Sequence, residues 1–163
     1  MEQGQCFTAE TMGREISQQS EIRKLQDLRE AEICARMMTD SEPWRTLRQA
    51  SGVSLEIVID PSRETYLAWV DGEIAGFVIL HMHGVLNGYI QAVCVALAWR
   101  SRGIGSQLLK FAEGRIFRET PDAFICVSSL SRDALRLYKR LGYEVIDALR
   151  DSEILLRKRM GLR

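Results

Sequence analysis

The stretch VCVALAWRSRGIGSQLLK, residues 93–110, decides the fold of this chain. β-favouring residues open it, two arginines and two glycines fall between positions 100 and 105, and apolar residues then recur at helical spacing. This order predicts a strand, a tight turn and an amphipathic helix. The first N–H groups of such a helix lack partners within it and lie at the positive end of its dipole. The turn is therefore a candidate phosphate site.

Two other phosphate-binding loops do not fit this turn. A dinucleotide-binding fingerprint requires a third small residue after Gly103 and Gly105, and Leu108 occupies that position. A P-loop ends in Gly-Lys-Ser or Gly-Lys-Thr, and the sequence contains neither triplet. What remains is Arg100-x-x-Gly103-x-Gly105 directly after a strand.

A second segment, VSSLSRDALRLYKRLGY at residues 127–143, predicts a helix with apolar residues on one face. Together the two segments resemble motifs A and B of the GNAT superfamily of acetyl-coenzyme A-dependent N-acetyltransferases. The usual forms there are Gln/Arg-x-x-Gly-x-Gly/Ala and Asn-x-x-Ala-x-x-Leu-Tyr-x-x-x-Gly-Phe. Ala134, Leu137 and Tyr138 match in register. Ser131 replaces the asparagine, and since serine also caps helices we expect it to cap this one.

The resemblance implies an α/β GNAT fold. Such a fold has a mixed central sheet of six to seven strands with splayed parallel central strands, flanked by about four helices. We expect one N-acetyltransferase domain over residues 21–160. Residues 1–20 are polar and weakly periodic, so we expect them to form a loosely ordered N-terminal extension.

The resemblance also implies a binding site for acetyl-coenzyme A as cosubstrate, with no metal. The backbone of the motif A strand would hold the pantetheine arm as an added strand would. The turn would wrap the pyrophosphate with its N–H groups, and its two arginines would add charge. The implied cofactor-binding residues are Val93, Cys94, Val95, Arg100, Ser101, Arg102, Gly103, Ile104, Gly105, Ser106 and Ser131.

Tyr138 is the catalytic residue that the resemblance implies, as the general acid for the departing thiolate. A phenol is protonated at neutral pH and a thiolate leaves readily, so a weak acid suffices. The alternative is a buried tyrosine that only packs the core. The implied reaction transfers acetyl directly to a primary amine of a small molecule or peptide. The alternative function is a coenzyme A-binding regulatory or interaction module with little turnover.

The general base stays open. Related proteins often carry glutamate or histidine on the motif A strand, whereas this chain has Tyr89 and Gln91, neither of which is a good base. His81 and His83 at the end of the preceding strand are candidates for a base acting through water; otherwise the amine arrives neutral. As a metal site the histidine pair lacks a third ligand nearby in sequence. Cys94 as an acyl-carrying nucleophile lacks a visible histidine–carboxylate partner.

Composition limits the class of protein. A chain of 163 residues with 46% apolar and 27% charged residues suits one ordinary globular domain. Basic and acidic residues number 22 each, which argues against a nucleic-acid or membrane-surface partner. The four cysteines include no Cys-x-x-Cys pair, which favours free, mostly buried thiols and a cytoplasmic protein. The expected partners are acetyl-coenzyme A and an amine acceptor, with a homodimer left open.

The N-terminal third predicts a helix that begins after Asp27, because Asp27 and Glu30 form a capping-box pattern. Residues 22–25 fit either a first strand or the approach to this helix. A second short helix is expected over residues 44–50. The side chains expected on the inner face of the first helix are Leu28, Ala31, Cys34, Ala35 and Met38.

Met37, Met38 and Trp44 either border the acceptor site, as the resemblance implies, or pack the core.

Asp71-Gly72 predicts a hairpin between strands at residues 65–70 and 74–80. A strand at residues 89–97 and another at 123–127 are expected to be parallel because a helix connects them. Residues 143–149 and 152–158 predict a closing hairpin, and the arginines of the motif B helix predict a solvated face.

Overall fold

The computed structural model describes residues 20–42, 44–45, 48, 50–149 and 152–161. The strands are β1 (Glu21–Lys24), β2 (Glu64–Val70), β3 (Glu73–His81), β4 (Tyr89–Val95), β5 (Asp122–Ser128), β6 (Glu144–Ala148) and β7 (Glu153–Arg159). The helices are α1 (Leu28–Thr39), α2 (Ser51–Ile59), α3 (Ile104–Ile116) and α4 (Arg132–Arg140), with a short 3₁₀ turn at Leu97–Trp99. The extension predicted at residues 1–20 lies outside the described residues, apart from Ser20.

The seven strands form one mixed sheet in the order β1-β2-β3-β4-β5-β7-β6. Only β4 and β5 are parallel neighbours; every other pair is antiparallel. Helix α3 connects those two strands, as the strand–helix–strand pattern predicts. The predicted mixed sheet and the four helices are therefore confirmed.

The two parallel strands separate soon after they begin. They are in register only at Tyr89 with Phe124 and at Ile90 with Ile125. At the same level β4 carries a β-bulge: Ile79 of β3 lies opposite Ala92 and Leu80 lies opposite Ile90, which leaves Gln91 as the extra residue. Because a bulge bends its strand and interrupts the ladder, it accounts for the splay that the resemblance implies.

Apolar side chains fill both faces of the sheet. One cluster packs α3 and α4 onto the sheet and includes Val93, Leu108 and Tyr138. The other packs α1 and α2 onto the opposite face and includes Phe77 and Cys94. The sheet is thus a layer between two helical layers, as expected for a parallel crossover next to antiparallel strands.

The N-terminal elements largely follow their sequence signals. Residues 21–24 form a strand, and the Asp27 carboxylate accepts a hydrogen bond from the Glu30 N–H at 2.9 Å, as in a capping box. The Glu30 carboxylate accepts from the Gln26 N–H at 2.9 Å instead of from Asp27. Leu28, predicted on the inner face, is 58% exposed. The helical period predicts which side chains share a face. Whether those in the first turn are buried depends on what the tertiary structure places beside them.

The second helix was predicted wrongly at residues 44–50. Trp44, Arg45 and Arg48 lie in turns, Arg48 has a φ of 51°, and α2 begins at Ser51. The apolar residues of α2 fall at positions 53, 55, 57, 58 and 59, which is not the spacing of one helix face, although the buried residues Ser54, Ile57 and Val58 do share a face. The sequence pattern therefore contains little that predicts α2.

Trp44 and Met38 are each 1% exposed in the cluster under α1 and α2, and Met37 packs against that cluster. The core-packing interpretation of these side chains is therefore the one that the structure shows. Three cysteines, Cys34, Cys94 and Cys126, are buried as predicted and are free thiols. Cys6 lies outside the described residues.

The hairpin predictions are confirmed. Asp71 and Gly72 both have positive φ, 50° and 77°, which is the conformation that a type I′ turn requires. Strands β6 and β7 form the closing antiparallel pair, although residues 150 and 151 between them lie outside the description. The charged side chains of α4 are exposed, as predicted: Arg132, Asp133, Arg136, Lys139 and Arg140.

Candidate active site

The turn after β4 has the geometry of an anion site. Ser101 and Gly103 have left-handed φ values of 59° and 81° on either side of Arg102. Alternation of this kind points successive N–H groups into one concavity. Gly103 occupies the N-cap position of α3 and has no side chain with which to cap it. No described atom lies within 4 Å of the place where a Cβ at Gly103 would stand, so the concavity is open on that side.

The two arginines of the turn are held in different ways. Arg100 Nε donates to the Val95 carbonyl at 3.1 Å, and Arg100 Nη2 lies 3.5 Å from the Ser41 hydroxyl. Its guanidinium therefore ties the turn to the end of β4 and to the residues after α1. Arg102 is exposed, with its Cζ 5.0 Å from the centre of the Trp99 ring. The charge that both are predicted to supply to a pyrophosphate stays a prediction.

Val93, Cys94 and Val95 present their backbone, and not their side chains, to the gap beside β4. Each side chain is at most 2% exposed. Their register partners are in β3, and none of the three has a register partner in β5. One edge of this stretch of β4 thus faces β5 across the splay without a ladder, as the predicted contact with an extended pantetheine arm requires.

Tyr138 is completely buried on α4, within the cluster that also contains Val93. Its ring lies edge-on to Tyr143, with centroids 5.7 Å apart and planes at 74°. Tyr143 is itself fixed, because its hydroxyl lies 3.0 Å from the Glu113 carboxylate, which also pairs with Lys158 at 2.7 Å. The packing of Tyr138 is what the alternative interpretation expects, and its catalytic role stays a prediction.

Ser131 stands at the N-cap position of α4, where the motif places it, with its side chain exposed. Among the described residues it makes no side-chain capping hydrogen bond, contrary to the expectation that serine caps this helix. The backbone ψ of 68° differs from the extended value typical of capping residues, which accounts for the missing bond. Its proposed contact with the cofactor remains a prediction.

A cavity of about 600 Å³ lies beside the point where β4 and β5 separate. It was not predicted from the sequence, because its walls come from six separate segments of the chain. Of its polar residues, the sequence singles out His81 as a candidate base acting through water, and Tyr89 and Gln91 only as poor bases. Its described polar and apolar walls include Arg63, His81, Tyr89, Gln91, Cys126 and Leu149.

The polar groups around the cavity have distinct electrostatic environments. Burial raises the pKa of Tyr89, and its contact with the Cys126 thiol and the nearby Glu153 charge add to the rise. Tyr89 therefore remains a phenol at neutral pH. The structure separates the two histidines: His81 lines the cavity, whereas the His83 imidazole is 82% exposed and lies 3.7 Å from the Glu119 carboxylate.

The described residues lack two kinds of site. They contain no group of three or more histidine, cysteine, aspartate and glutamate side chains that could hold a metal ion. No helix in the part of the chain that the structure describes is both long enough and apolar enough to cross a bilayer.

A parallel strand pair that splays at a β-bulge, followed by a left-handed turn at a helix N-terminus, is the arrangement that the resemblance to the N-acetyltransferase fold implies. Residues 25–143 match the acetyltransferase (GNAT) family, and the chain belongs to that family.

The chain is 37% identical over 97 residues to the aminoalkylphosphonate N-acetyltransferase of Salmonella typhimurium (strain LT2). This match covers 53% of the chain and spans only 60% of the relative's length. Among solved structures, PaiA N-acetyltransferase of Thermoplasma acidophilum in complex with coenzyme A is 18% identical, with a TM-score of 0.65 over 87% of this chain and 99% of that one.

A GNAT family acetyltransferase of Elizabethkingia anophelis with acetyl-coenzyme A bound is 20% identical, with a TM-score of 0.66 over 86% of this chain and 98% of that one. At such low identity the two structures show a shared fold. The coenzyme A ligands belong to those proteins, and they support the same ligand for this chain only as a proposal.

Proposed function

We propose that this protein transfers the acetyl group of acetyl-coenzyme A directly to a primary amine of a small molecule or peptide. The observation that carries the proposal is the end of β4–β5 pairing after Ile90, followed by the left-handed turn at Ser101 and Gly103. A free strand edge suits the amides of a pantetheine arm, and a concavity of N–H groups suits a pyrophosphate.

The residues that hold the cosubstrate are proposed to act mainly through their backbone. Val93–Val95 bind the pantetheine arm, and the amides of residues 101–106 bind the pyrophosphate, with Arg100, Arg102 and Ser131 at the margins. Bound acetyl-coenzyme A supplies the activated acetyl thioester. Holding the thioester and the amine together removes most of the entropic cost of bringing two reactants into contact.

Tyr138 is proposed as the general acid, with its Oη as the atom that gives up the proton. A phenol is protonated at neutral pH, so the hydroxyl has a proton to give. The ring is held by Tyr143, so the hydroxyl has a fixed direction. A positioned acid of this kind contributes about a hundred- to ten-thousandfold in favourable cases.

Two finer features belong to the proposal. We place the protein in the cytoplasm, because the described cysteines Cys34, Cys94 and Cys126 are free thiols and reducing compartments preserve these. We place the acceptor among small amines, because the matched relative is named for aminoalkylphosphonates. A homodimer is compatible with this proposal and is not required by it.

Release of coenzyme A tests the proposed function. The protein is incubated with acetyl-coenzyme A and one amine at a time, drawn from small amines, polyamines, amino acids, aminophosphonates and peptides. A thiol reagent follows coenzyme A, and mass spectrometry identifies the amide. We expect amine-dependent release with at least one of these acceptor classes.

Isothermal titration with coenzyme A supplies the control. Tight binding without release for any amine would favour the alternative, a regulatory or interaction module. Absence of binding would instead show that the turn after β4 does not hold the cofactor.

A further inference from the structure

The cavity beside the strand splay has the position and size of an acceptor site. Tyr89 and Gln91 of β4 and Cys126 of β5 line it, so both parallel strands contribute. Gln91 is the bulge residue at which β4 leaves β5, so the cavity adjoins the gap that we assign to the pantetheine arm. Its volume of about 600 Å³ falls within the range of small-molecule sites.

One wall of the cavity includes an arginine whose guanidinium is oriented by an ion pair. Arg63, from the loop between α2 and β2, lines the cavity, and its side chain is only 18% exposed. Its Nη1 lies 2.8 Å from the Asp60 carboxylate. The other oxygen of Asp60 accepts hydrogen bonds from the Ser62 N–H and hydroxyl at 2.8 and 2.7 Å. Arg63 is therefore oriented by a carboxylate that is itself anchored.

The Asp60 carboxylate stays charged over the neutral range. Hydrogen bonds from the Ser62 hydroxyl and N–H lower the pKa of Asp60, and the Arg63 charge acts in the same direction. A guanidinium presents a planar fork of N–H donors that matches the oxygens of carboxylate and phosphonate groups. Preorganisation by Asp60 reduces the entropy that Arg63 loses when it binds such a group.

A buried carboxylate lies near the part of the cavity that β4 and β5 line. Glu153 on β7 is 5% exposed and lies opposite Ser128 of β5 in register. Leu155, two residues on, pairs with Cys126, so Glu153 and Cys126 project from the same face of the sheet. Burial raises the pKa of the Tyr89 hydroxyl and of the Cys126 thiol, and the Glu153 charge adds to both rises, so this carboxylate lies close to the walls that β4 and β5 form. A ligand amine placed at these walls would lie near a carboxylate.

We propose that this cavity binds the acceptor and that Arg63 selects primary amines that carry an acidic group, a carboxylate or a phosphonate. The acidic group pairs with the Arg63 guanidinium, and the amine points toward the bulge at Gln91. This inference rests on the proposed N-acetyl transfer, and it adds the class of acceptor and the residue that discriminates it.

A matched pair of acceptors tests the selection. β-Alanine and its neutral amide differ in one charged group, and 2-aminoethylphosphonate supplies the phosphonate arm of the test. We compare kcat/KM per mole of unprotonated amine, because the amide is the weaker base. We expect the wild-type protein to favour at least one of the two acids over the neutral amide by about tenfold or more, as a charge-assisted pair would give.

Substitution of Arg63 assigns the preference to one side chain. Arg63→Gln should lower kcat/KM for the preferred acid by about ten- to a hundredfold and leave the neutral amide within about twofold. Arg63→Lys should restore part of the preference, because it keeps the charge and loses the planar fork. Arg23→Gln is the control: Arg23 also pairs with a carboxylate, Glu30 at 2.6 Å, and its side chain is 27% exposed, but it lies on the edge strand β1.

The outcomes separate this inference from the proposed function. If neutral and acidic amines are acetylated equally, or if Arg63→Gln lowers both by the same factor, the inference is wrong while the transferase activity stands. If no amine is acetylated, the proposed function fails. Titration of β-alanine and 2-aminoethylphosphonate into the coenzyme A-loaded protein then decides the inference, which requires that Arg63→Gln weaken binding of the acid by about tenfold or more. Unchanged affinity, or no binding by the wild type, overturns it.

Discussion

The turn after β4 and the cavity beside the splay are built in opposite ways. The turn is one run of residues, 100–106, and its proposed functional groups are backbone N–H groups whose direction is set by φ at Ser101 and Gly103. The cavity is assembled from separate strands and loops, and its functional groups are side chains such as Arg63 and Gln91. The turn therefore depends on local conformation, whereas the cavity depends on which segments the fold brings together.

The difference predicts different responses to substitution. A backbone site tolerates many side chains and fails when a required φ becomes strained. A side-chain site tolerates backbone-neutral changes and fails when a charge or hydrogen-bonding group is lost. Substitutions of matched size can test whether the two regions respond in these different ways.

The largest effect is expected at Gly103. Gly103→Val places a β-branched residue at a φ of 81°, which valine strongly disfavours, so the turn must change shape. Loss of two charge-assisted hydrogen bonds to a pyrophosphate should raise the Kd for coenzyme A by about a hundred- to ten-thousandfold. Isothermal titration measures the Kd, and thermal denaturation checks that the variant folds.

Gly114→Val is the matched control for Gly103. Gly114 lies on α3 without a positive φ, and no described atom comes within 4 Å of a Cβ placed there. Coenzyme A affinity should stay within about twofold, since valine costs a helix no more than glycine does. Equal loss of affinity in both variants would show that the left-handed turn is not the pyrophosphate site.

A smaller effect is expected at Tyr138, because here a side chain is proposed to act on the cofactor that the backbone groups hold. Tyr138→Phe keeps the ring and removes the hydroxyl, so the step in which the thiolate leaves should slow. We expect kcat to fall by about ten- to a thousandfold while the Kd for acetyl-coenzyme A barely changes. Steady-state kinetics with the best acceptor measures the first quantity and titration the second.

Tyr143→Phe provides the comparison with Tyr138. It removes the hydrogen bond to Glu113 and should lower the free energy of unfolding by about 1 kcal/mol with little change in kcat. A wild-type rate in Tyr138→Phe would show that Tyr138 only packs the core.

The smallest effect is expected for an ion pair outside both regions, which links the start of β2 to the last turn of α3. Glu64, next to Arg63, accepts hydrogen bonds from Arg115 of α3 at 2.7 and 2.9 Å. Burial alone would raise the pKa of Glu64, but the bonds from Arg115 and Tyr66 outweigh burial and lower it below the usual 4.5. Glu64→Gln should therefore lower the free energy of unfolding by about 0.5 to 1.5 kcal/mol at pH 7.

The pH dependence identifies this contribution. A lowered pKa stabilises the folded state above the unfolded-state value, and the stabilisation disappears as the pH falls through the folded-state value. The gap between wild type and Glu64→Gln should hold above about pH 4.5 and close below it. Glu119→Gln removes the more exposed partner of Arg115, at 2.8 Å, and should cost less. A gap that is independent of pH would contradict the assignment.

Local signals predicted the elements that are determined locally. The Asp71-Gly72 turn, the Asp27 cap and the strand–turn–helix around Gly103 each depend on a few neighbouring residues, and the structure contains all three. Helix α2 was missed because its apolar residues follow no helical period, and Trp44 was assigned to a helix although it fills the core from a turn. In both cases burial against α1 and the sheet replaced propensity as the deciding factor.

The sequence by itself determined the family, the parallel pairing around the crossover and the turn after β4, because contiguous residues encode backbone conformation. Only the tertiary structure decided where β4 leaves β5, and which side chains meet there. Arg63, which precedes β2, and Cys126 of β5 are 63 positions apart in the chain and line one cavity only because the sheet places β3 and β4 between β2 and β5. Recognition by side chains from distant segments requires the completed sheet, whereas a turn of seven residues carries its own geometry.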